Sequence, residues 1–238
     1  MKPNNFIFAD LSTYTPKQTM GFYEAVFDWK YYASDNYFTA FKGNQEICGL
    51  YETPEKFKQM RMPHFWMSYI QVNSVQQTVE KARELGGIIE VVDESTIGKI
   101  GLIRDPLGSG FTIYEGSQLS HTRTLNEPNT LIWNELHVSK ADQVIPFYGG
   151  IFNWTFEDQG YGTYHIYNHK NEHIADLMEI PNDYKGKYEY WVCTFGVENL
   201  TTARDTVLKL GGTTVTEEDF RILMTDNSHE AFFYIQGV

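Results

Sequence analysis

In the segment Ile132–Val138, IWNELHV, a carboxylate and an imidazole stand two residues apart at Glu135 and His137. Side chains alternate along a strand, so the two project from one face. A carboxylate beside an imidazole is the equipment of a general base, or of an anchor for a polar ligand. The competing reading is structural, with Glu135 bonding a loop backbone and His137 a satisfied core or rim histidine. Asp10 and Ser12 have the same spacing in FIFADLST. They offer one charge and no group titrating near neutrality, and an acidic strand-end residue often caps a turn. His169 and His173 flank Lys170-Asn171-Glu172 and read as a solvated hairpin able to take adventitious metal. His64, His121 and His229 fall in loops, and His165 lies in a strand of unknown facing. The chain has no G-x-S-x-G elbow, P-loop, G-x-G-x-x-G after a strand, or C-x-x-C.

What must position these residues is a duplicated framework. Gly21–Trp29 reads GFYEAVFDW and Pro146–Trp154 reads PFYGGIFNW. Phe22, Tyr23, Phe27 and Trp29 recur as Phe147, Tyr148, Phe152 and Trp154, each 125 residues later. The same offset carries Trp66 to Trp191, Val72 to Val197, and Leu85-Gly86-Gly87 to Leu210-Gly211-Gly212. Within each half, two similar units follow one another. A strand over residues 5–11 precedes a helix with Thr15 as N-cap and Pro16 at its first position. In the second half that helix places Val144, Phe147, Tyr148 and Ile151 on one apolar face. A second strand, residues 66–72, leads into a helix facing inward with Val75, Val79, Ala82 and Leu85, ended by Gly86-Gly87. Its copy uses Leu200, Ala203, Val207 and Leu210. Residues 37–41, the Gly43-Asn44 turn and residues 46–51 read as a hairpin. Residues 100–103, the Asp105–Gly108 turn and residues 111–114 read as another. The repeating unit is strand–helix–strand–strand–strand, present four times.

The formal net charge of −12 and the lack of a Lys/Arg cluster argue against nucleic acid and anionic membrane as partners. No apolar run reaches the roughly 18 residues of a membrane span, and the N-terminus lacks a signal-peptide pattern. Cys48 and Cys193 lie in apolar segments and read as reduced core thiols of a cytoplasmic protein.

A βαβββ unit used in pairs, with FY-x3-F-x-W in one helix and LGG ending the next, resembles the vicinal-oxygen-chelate superfamily. That group includes glyoxalase I, extradiol dioxygenases, and fosfomycin- and bleomycin-resistance proteins. The likeness spans about residues 5–116 and 130–237. It implies an α+β fold of four βαβββ modules in two tandem glyoxalase/bleomycin-resistance-like domains with cup-shaped mixed sheets. The domains are expected at residues 1–118 and 130–238, joined by a linker over 119–129. It also implies a ligand, often with a divalent metal, on the concave side. The superfamily's metal positions fall here on Phe8, Met67, Thr112 and about Gly49 in the first half. In the second they fall on Trp133, Val192, Phe233 and Asp176. Only Asp176 is a carboxylate, and a borderline cation needs three or more such ligands, so no metal cofactor is expected there.

With Phe8 and Trp133 facing the cavity, Asp10, Glu135 and His137 face it too. Met67 and Tyr69 line it from the opposing module, giving an aromatic wall suited to a flat or apolar ligand. Three readings follow. The first is a metal-independent small-molecule binder. The second is a lyase, isomerase or dioxygenase-like enzyme using Glu135 and His137, with any metal at a shifted site. The third is a scaffold whose cups have become core. A homo-oligomer stays open, although tandem halves can take the place of a dimer.

Overall fold

The computed structural model describes residues 4–180 and 189–238. The first half runs β1 (Phe6–Thr13), α1 (Pro16–Phe27), β2 (Lys30–Ser34), β3 (Tyr37–Lys42), β4 (Gln45–Glu52), a short α2 (Glu55–Gln59), β5 (Phe65–Gln71), α3 (Val75–Glu84), β6 (Ile88–Ser95), β7 (Gly98–Arg104) and β8 (Gly110–Glu115). The second runs β9 (Leu131–Val138), α4 (Ala141–Phe152), β10 (Thr155–Gly160), β11 (Thr163–Tyr167), β12 (His173–Glu179), β13 (Tyr190–Val197), α5 (Leu200–Lys209), β14 (Thr213–Glu217), β15 (Arg221–Thr225) and β16 (Phe232–Gly237). Four βαβββ modules are thus present. They form two eight-stranded mixed sheets, ordered β2-β3-β4-β1-β5-β8-β7-β6 and β10-β11-β12-β9-β13-β16-β15-β14. In each module the first strand pairs in parallel with the last, as in β1 with β4 and β9 with β12. Among the described residues no helix is long and apolar enough to cross a membrane.

The repeated motifs have local causes. α1 and α4 end on Asp28 and Asn153, both left-handed (φ 55° and 56°). Asp and Asn tolerate that conformation, and the reversal sends Trp29 and Trp154 back into the interior, where both are buried. α3 and α5 start alike, with Ser74 and Asn199 accepting the amides of Gln77 and Thr202. Their LGG ends use each glycine differently. Gly86 and Gly211 adopt φ of 88° and 93°, a region open to glycine. Gly87 has no room for a side chain, since a Cβ there would lie 2.7 Å from the Phe147 ring. At α1 the expectation needs one correction. Pro16 does open the helix, but the Thr15 side chain caps nothing; the Thr15 amide donates to Thr13 Oγ1 at 3.2 Å.

The sheets follow the halves of the sequence, whereas the compact units cut across them. One unit comprises Met1–Ile7, Ser68–His121 and Asn134–Trp191; the other comprises Phe8–Met67, Thr122–Trp133 and Val192–Val238. In the first, α3 packs on α4. There the Trp191 indole donates to Tyr148 Oη (2.9 Å), which donates to Asp105 Oδ2 (3.0 Å). In the second, α1 packs on α5. There the Trp66 indole donates to Tyr23 Oη (3.0 Å), which reaches Asp226 Oδ2 (3.5 Å). The other two tryptophans match as well, Trp154 donating to the Asn4 carbonyl and Trp29 to the Asn129 carbonyl. Cys48 and Cys193 are buried and form no disulfide.

Two outcomes are expected. Gly87→Ala forces the Phe147 ring to move and destabilises the chain by about 1–3 kcal/mol, measured by urea unfolding. Burial pushes the Asp105 carboxyl up to about 6, against the amides and phenol that bond it. A raised carboxyl takes up its proton in the folded state first. Its contribution to stability is therefore full below the unfolded value of about 4 and lost as pH rises through about 6. Wild type should gain more stability than Asp105→Asn when unfolding is compared at pH 7 and pH 5.

Candidate functional site

On β9 the period-two alternation places Glu135 and His137 on one face, and both are buried (2% and 1% exposed). His137 Nε2 lies 2.6 Å from Glu135 Oε1, and its Nδ1 lies 3.2 Å from the hydroxyl of Tyr190, the first residue of β13. With the carboxylate ionised, His137 Nε2–H donates to Glu135, and Nδ1 can accept the Tyr190 hydroxyl proton. Burial, then the charges of Glu135 and Glu189, hold the Tyr190 phenol well above its ordinary pKa, so it stays protonated. Tyr190 is half-buried and forms the more open end of the chain. Sequence reading found the pair and missed this third member. The 125-residue offset sets Tyr190 against Phe65, a substitution that was visible but had no meaning before β13 was placed beside β9.

The matching positions of the first half are put to another use. Asp10 is buried and accepts from the Tyr37 hydroxyl at 3.3 Å; Ser12 shares a 2.9 Å hydrogen bond with Thr53. Tyr37 and Tyr51 stack over each other, ring centres 6.4 Å apart and 9° from parallel. Burial raises the pKa of both, and Asp10 adds to it. Tyr37 reaches Asp10 only because β4 has a glycine there, since a Cβ on Gly49 would lie 1.8 Å from the Tyr37 hydroxyl.

Gly49 is paired with Asp10, and Asp176 with Glu135, so the two are equivalent, as expected. Asp176 is half-buried and keeps different company. Its Oδ1 is 2.8 Å from His173 Nε2 and 3.9 Å from His165 Nε2. His173 therefore belongs with His165 and Asp176 on one face of the hairpin. Of the remaining ligand candidates, Phe8 and Met67 are buried and Tyr69 half-buried. Trp133 is half-buried with the Arg123 guanidinium 4.6 Å from its ring centre.

The fold has close parallels among solved structures. A substrate complex of homoprotocatechuate 2,3-dioxygenase from Brevibacterium fuscum matches with a TM-score of 0.65 and 14% identity, over 98% of this chain and 81% of that one. The 2,2',3-trihydroxybiphenyl 1,2-dioxygenase of Sphingomonas wittichii matches with a TM-score of 0.67 and 10% identity, over 100% and 91%. The 2,3-dioxygenase LapB of a Pseudomonas species gives 0.64 and 11%, over 100% and 94%. The chain has the vicinal-oxygen-chelate fold. In sequence it is 25% identical over 223 residues to the "Putative glyoxylase CFP32" of Mycobacterium bovis, covering 88% of this chain and 84% of that protein. The protein of the same name from Mycobacterium tuberculosis gives the same figures. No protein-family profile matches the chain.

The strand register tests the metal positions of the vicinal-oxygen-chelate fold. Tyr69 pairs with Thr112, and Thr194 with Tyr234. Tyr69 and Thr194 are equivalent by the 125-residue offset, so the counterpart of Thr112 is Tyr234, not Phe233. The slip arises because the second-half turn closes from Asp226 to Ala231, one residue longer than Asp105 to Ser109. Tyr234 is a buried phenol with the Arg221 guanidinium 4.3 Å from its ring centre. Phe8, Met67, Trp133 and Val192 offer no donor suited to a divalent cation, and Thr112 only a hydroxyl. Asp176 is the one carboxylate among these positions, so the set as a whole does not fit the metal.

Gly49→Ala should push Tyr37 off Asp10 and cost about 1–3 kcal/mol. Chemical unfolding with tyrosine absorbance as a second probe would register both effects.

Proposed function

We propose that this protein binds a small hydroxyl-bearing ligand through Tyr190, His137 and Glu135, without a metal at the superfamily's usual positions. The observation that carries the reading is that both nitrogens of a buried imidazole are engaged, one by a carboxylate at 2.6 Å and one by a half-buried phenol at 3.2 Å. His137 itself therefore presents no lone pair to a ligand. What it presents is the Tyr190 oxygen, which can accept a ligand's O–H while donating its own proton inward. Glu135 makes His137 a better acceptor, which in turn polarises Tyr190. The Asp10–Ser12–Phe65 set of the first half contains no such chain.

The enzymatic alternative uses the same atoms. A ligand proton would pass to Tyr190 while the tyrosine's own passes to His137, leaving an imidazolium paired with Glu135. Binding ranks first because it requires only the hydrogen bonds present. Turnover of a bound probe by wild-type protein would decide for the enzyme.

The test is a thermal-shift series with small polar aromatics. It includes 3,4-dihydroxyphenylacetate, the compound held by the Brevibacterium fuscum relative in its substrate complex. Glu135→Gln and Tyr190→Phe preserve shape, so melting without ligand should stay within a few degrees while the ligand-induced rise is lost. His137→Ala leaves Glu135 buried without its imidazole and should cost roughly 1–3 kcal/mol. An unchanged ligand response in both conservative variants sinks the reading.

A further inference from the structure

We propose that His165, His173 and Asp176 form a binding site for one first-row divalent transition-metal ion. Their donor atoms all lie within 4.8 Å of one another. Two atoms bound to one ion at about 2.1 Å each stand roughly 3–4 Å apart, so small rotamer changes suffice to close the site. Two imidazoles and one carboxylate are the donor set of a borderline ion such as Zn²⁺ or Co²⁺, with the remaining positions left to water. This ligand set is distinct from the superfamily positions tested above, of which it uses only Asp176.

Three features of the hairpin build the site. His165 on β11 lies directly opposite Asp176 on β12. A register shift between Ile166 and Tyr167 then pairs Tyr167 with His173. That bulge draws His173 toward Asp176, to 2.8 Å, and brings the two imidazole ring centres to 4.3 Å. Side-chain exposures of 35%, 34% and 19% for His165, His173 and Asp176 leave water access for exchange and for the open coordination positions. A bound ion would replace the proton between His173 Nε2 and Asp176 Oδ1 and engage both imidazole lone pairs at once.

The duplication supplies an internal control. The first half has the same hairpin with the same register shift, between Ala40 and Phe41. At the positions matching His165, Asp176 and His173 it carries Thr39, Gly49 and Glu46, as the pairs Thr39–Gly49 and Phe41–Glu46 show. Backbone geometry alone does not call for imidazoles there. All three metal-ligating residues arise in one copy, on two strands, at one spot.

The test uses the tag-free full chain, stripped with EDTA and titrated with Co²⁺ by visible absorption and with Zn²⁺ by calorimetry. One ion per chain is expected, with a Co²⁺ spectrum showing nitrogen coordination. His165→Ala, His173→Ala and Asp176→Asn should each weaken binding at least about tenfold, with circular dichroism confirming that each variant folds. His169→Ala, at the turn beyond the cluster, should leave binding unchanged. No stoichiometric uptake at about 100 µM metal overturns the proposal, as does binding that survives all three substitutions or is lost in His169→Ala. Because no organic ligand enters these titrations, failure here leaves the reading of Tyr190, His137 and Glu135 standing.

Discussion

A buried phenol has a proton to give and lone pairs to fill, and burying either without a partner costs about 1–3 kcal/mol. The two tyrosines of the FY pairs meet that requirement identically. Each accepts from a tryptophan indole and turns its hydroxyl toward an aspartate, in the sets Trp66–Tyr23–Asp226 and Trp191–Tyr148–Asp105. The tyrosine and its aspartate always come from opposite halves of the sequence. A chain that merely joined two finished domains would satisfy each phenol within its own half. Here each half leaves that acceptor to the other, so a compact unit takes one module from each. The LGG glycines serve the same arrangement, since Gly87 makes room for Phe147, the neighbour of Tyr148.

With the interior fixed by these repeated contacts, the polar faces of the sheets were free to diverge. Asp10 and Glu135 are equivalent carboxylates in equivalent strands, and the difference lies in what reaches them. Gly49 admits Tyr37, and a phenol closes over Asp10. In the second copy Asp176 replaces that glycine, Thr163 stands opposite Met178 where Tyr37 stands opposite Tyr51, and the space beside Glu135 is taken by His137 and Tyr190. These differences together separate a face sealed by its own tyrosine from one carrying Glu135, His137 and Tyr190 in a row.

Much of this was legible in the sequence, for a definable reason. Repeat spacing survives because buried aromatics and helix-ending glycines tolerate little replacement, so FY, W and LGG reported the fold directly. The Glu135–His137 pair was legible because two residues on one strand need only period-two alternation. Tyr190 and Tyr37 were not, because they reach the site from other strands, Tyr190 from the adjacent β13 and Tyr37 from across β4, and strand order is long-range information. The displacement from Phe233 to Tyr234 came from one added residue in the turn after Asp226, which fixed-distance anchoring cannot see. His165 and His173 required knowing that the bulge between Ile166 and Tyr167 restores facing. The exposed edge strand β2 showed no alternation and was not individually recognised.

Among the described residues, four phenols are linked by hydrogen bonds to a buried carboxylate in comparable ways: Tyr23 to Asp226, Tyr37 to Asp10, Tyr148 to Asp105, and Tyr190 to Glu135 through His137. In every one, burial is the first cause and the carboxylate's charge the second that hold the phenol protonated. The same chemical device therefore serves two ends, and accessibility separates them. Tyr23 and Tyr148 are fully enclosed, so their hydroxyls can only join structure to structure. Tyr37 is half-buried but spends its proton on Asp10 across a 3.3 Å contact, a plain phenol–carboxylate pair. Tyr190 is half-buried too, but between it and the carboxylate stands the His137 imidazole, bonded to both. Of the four it alone reaches its carboxylate through a second side chain. That chain of hydrogen bonds, more than the presence of Glu135 or His137 alone, is what the proposal of ligand binding at Tyr190 rests on.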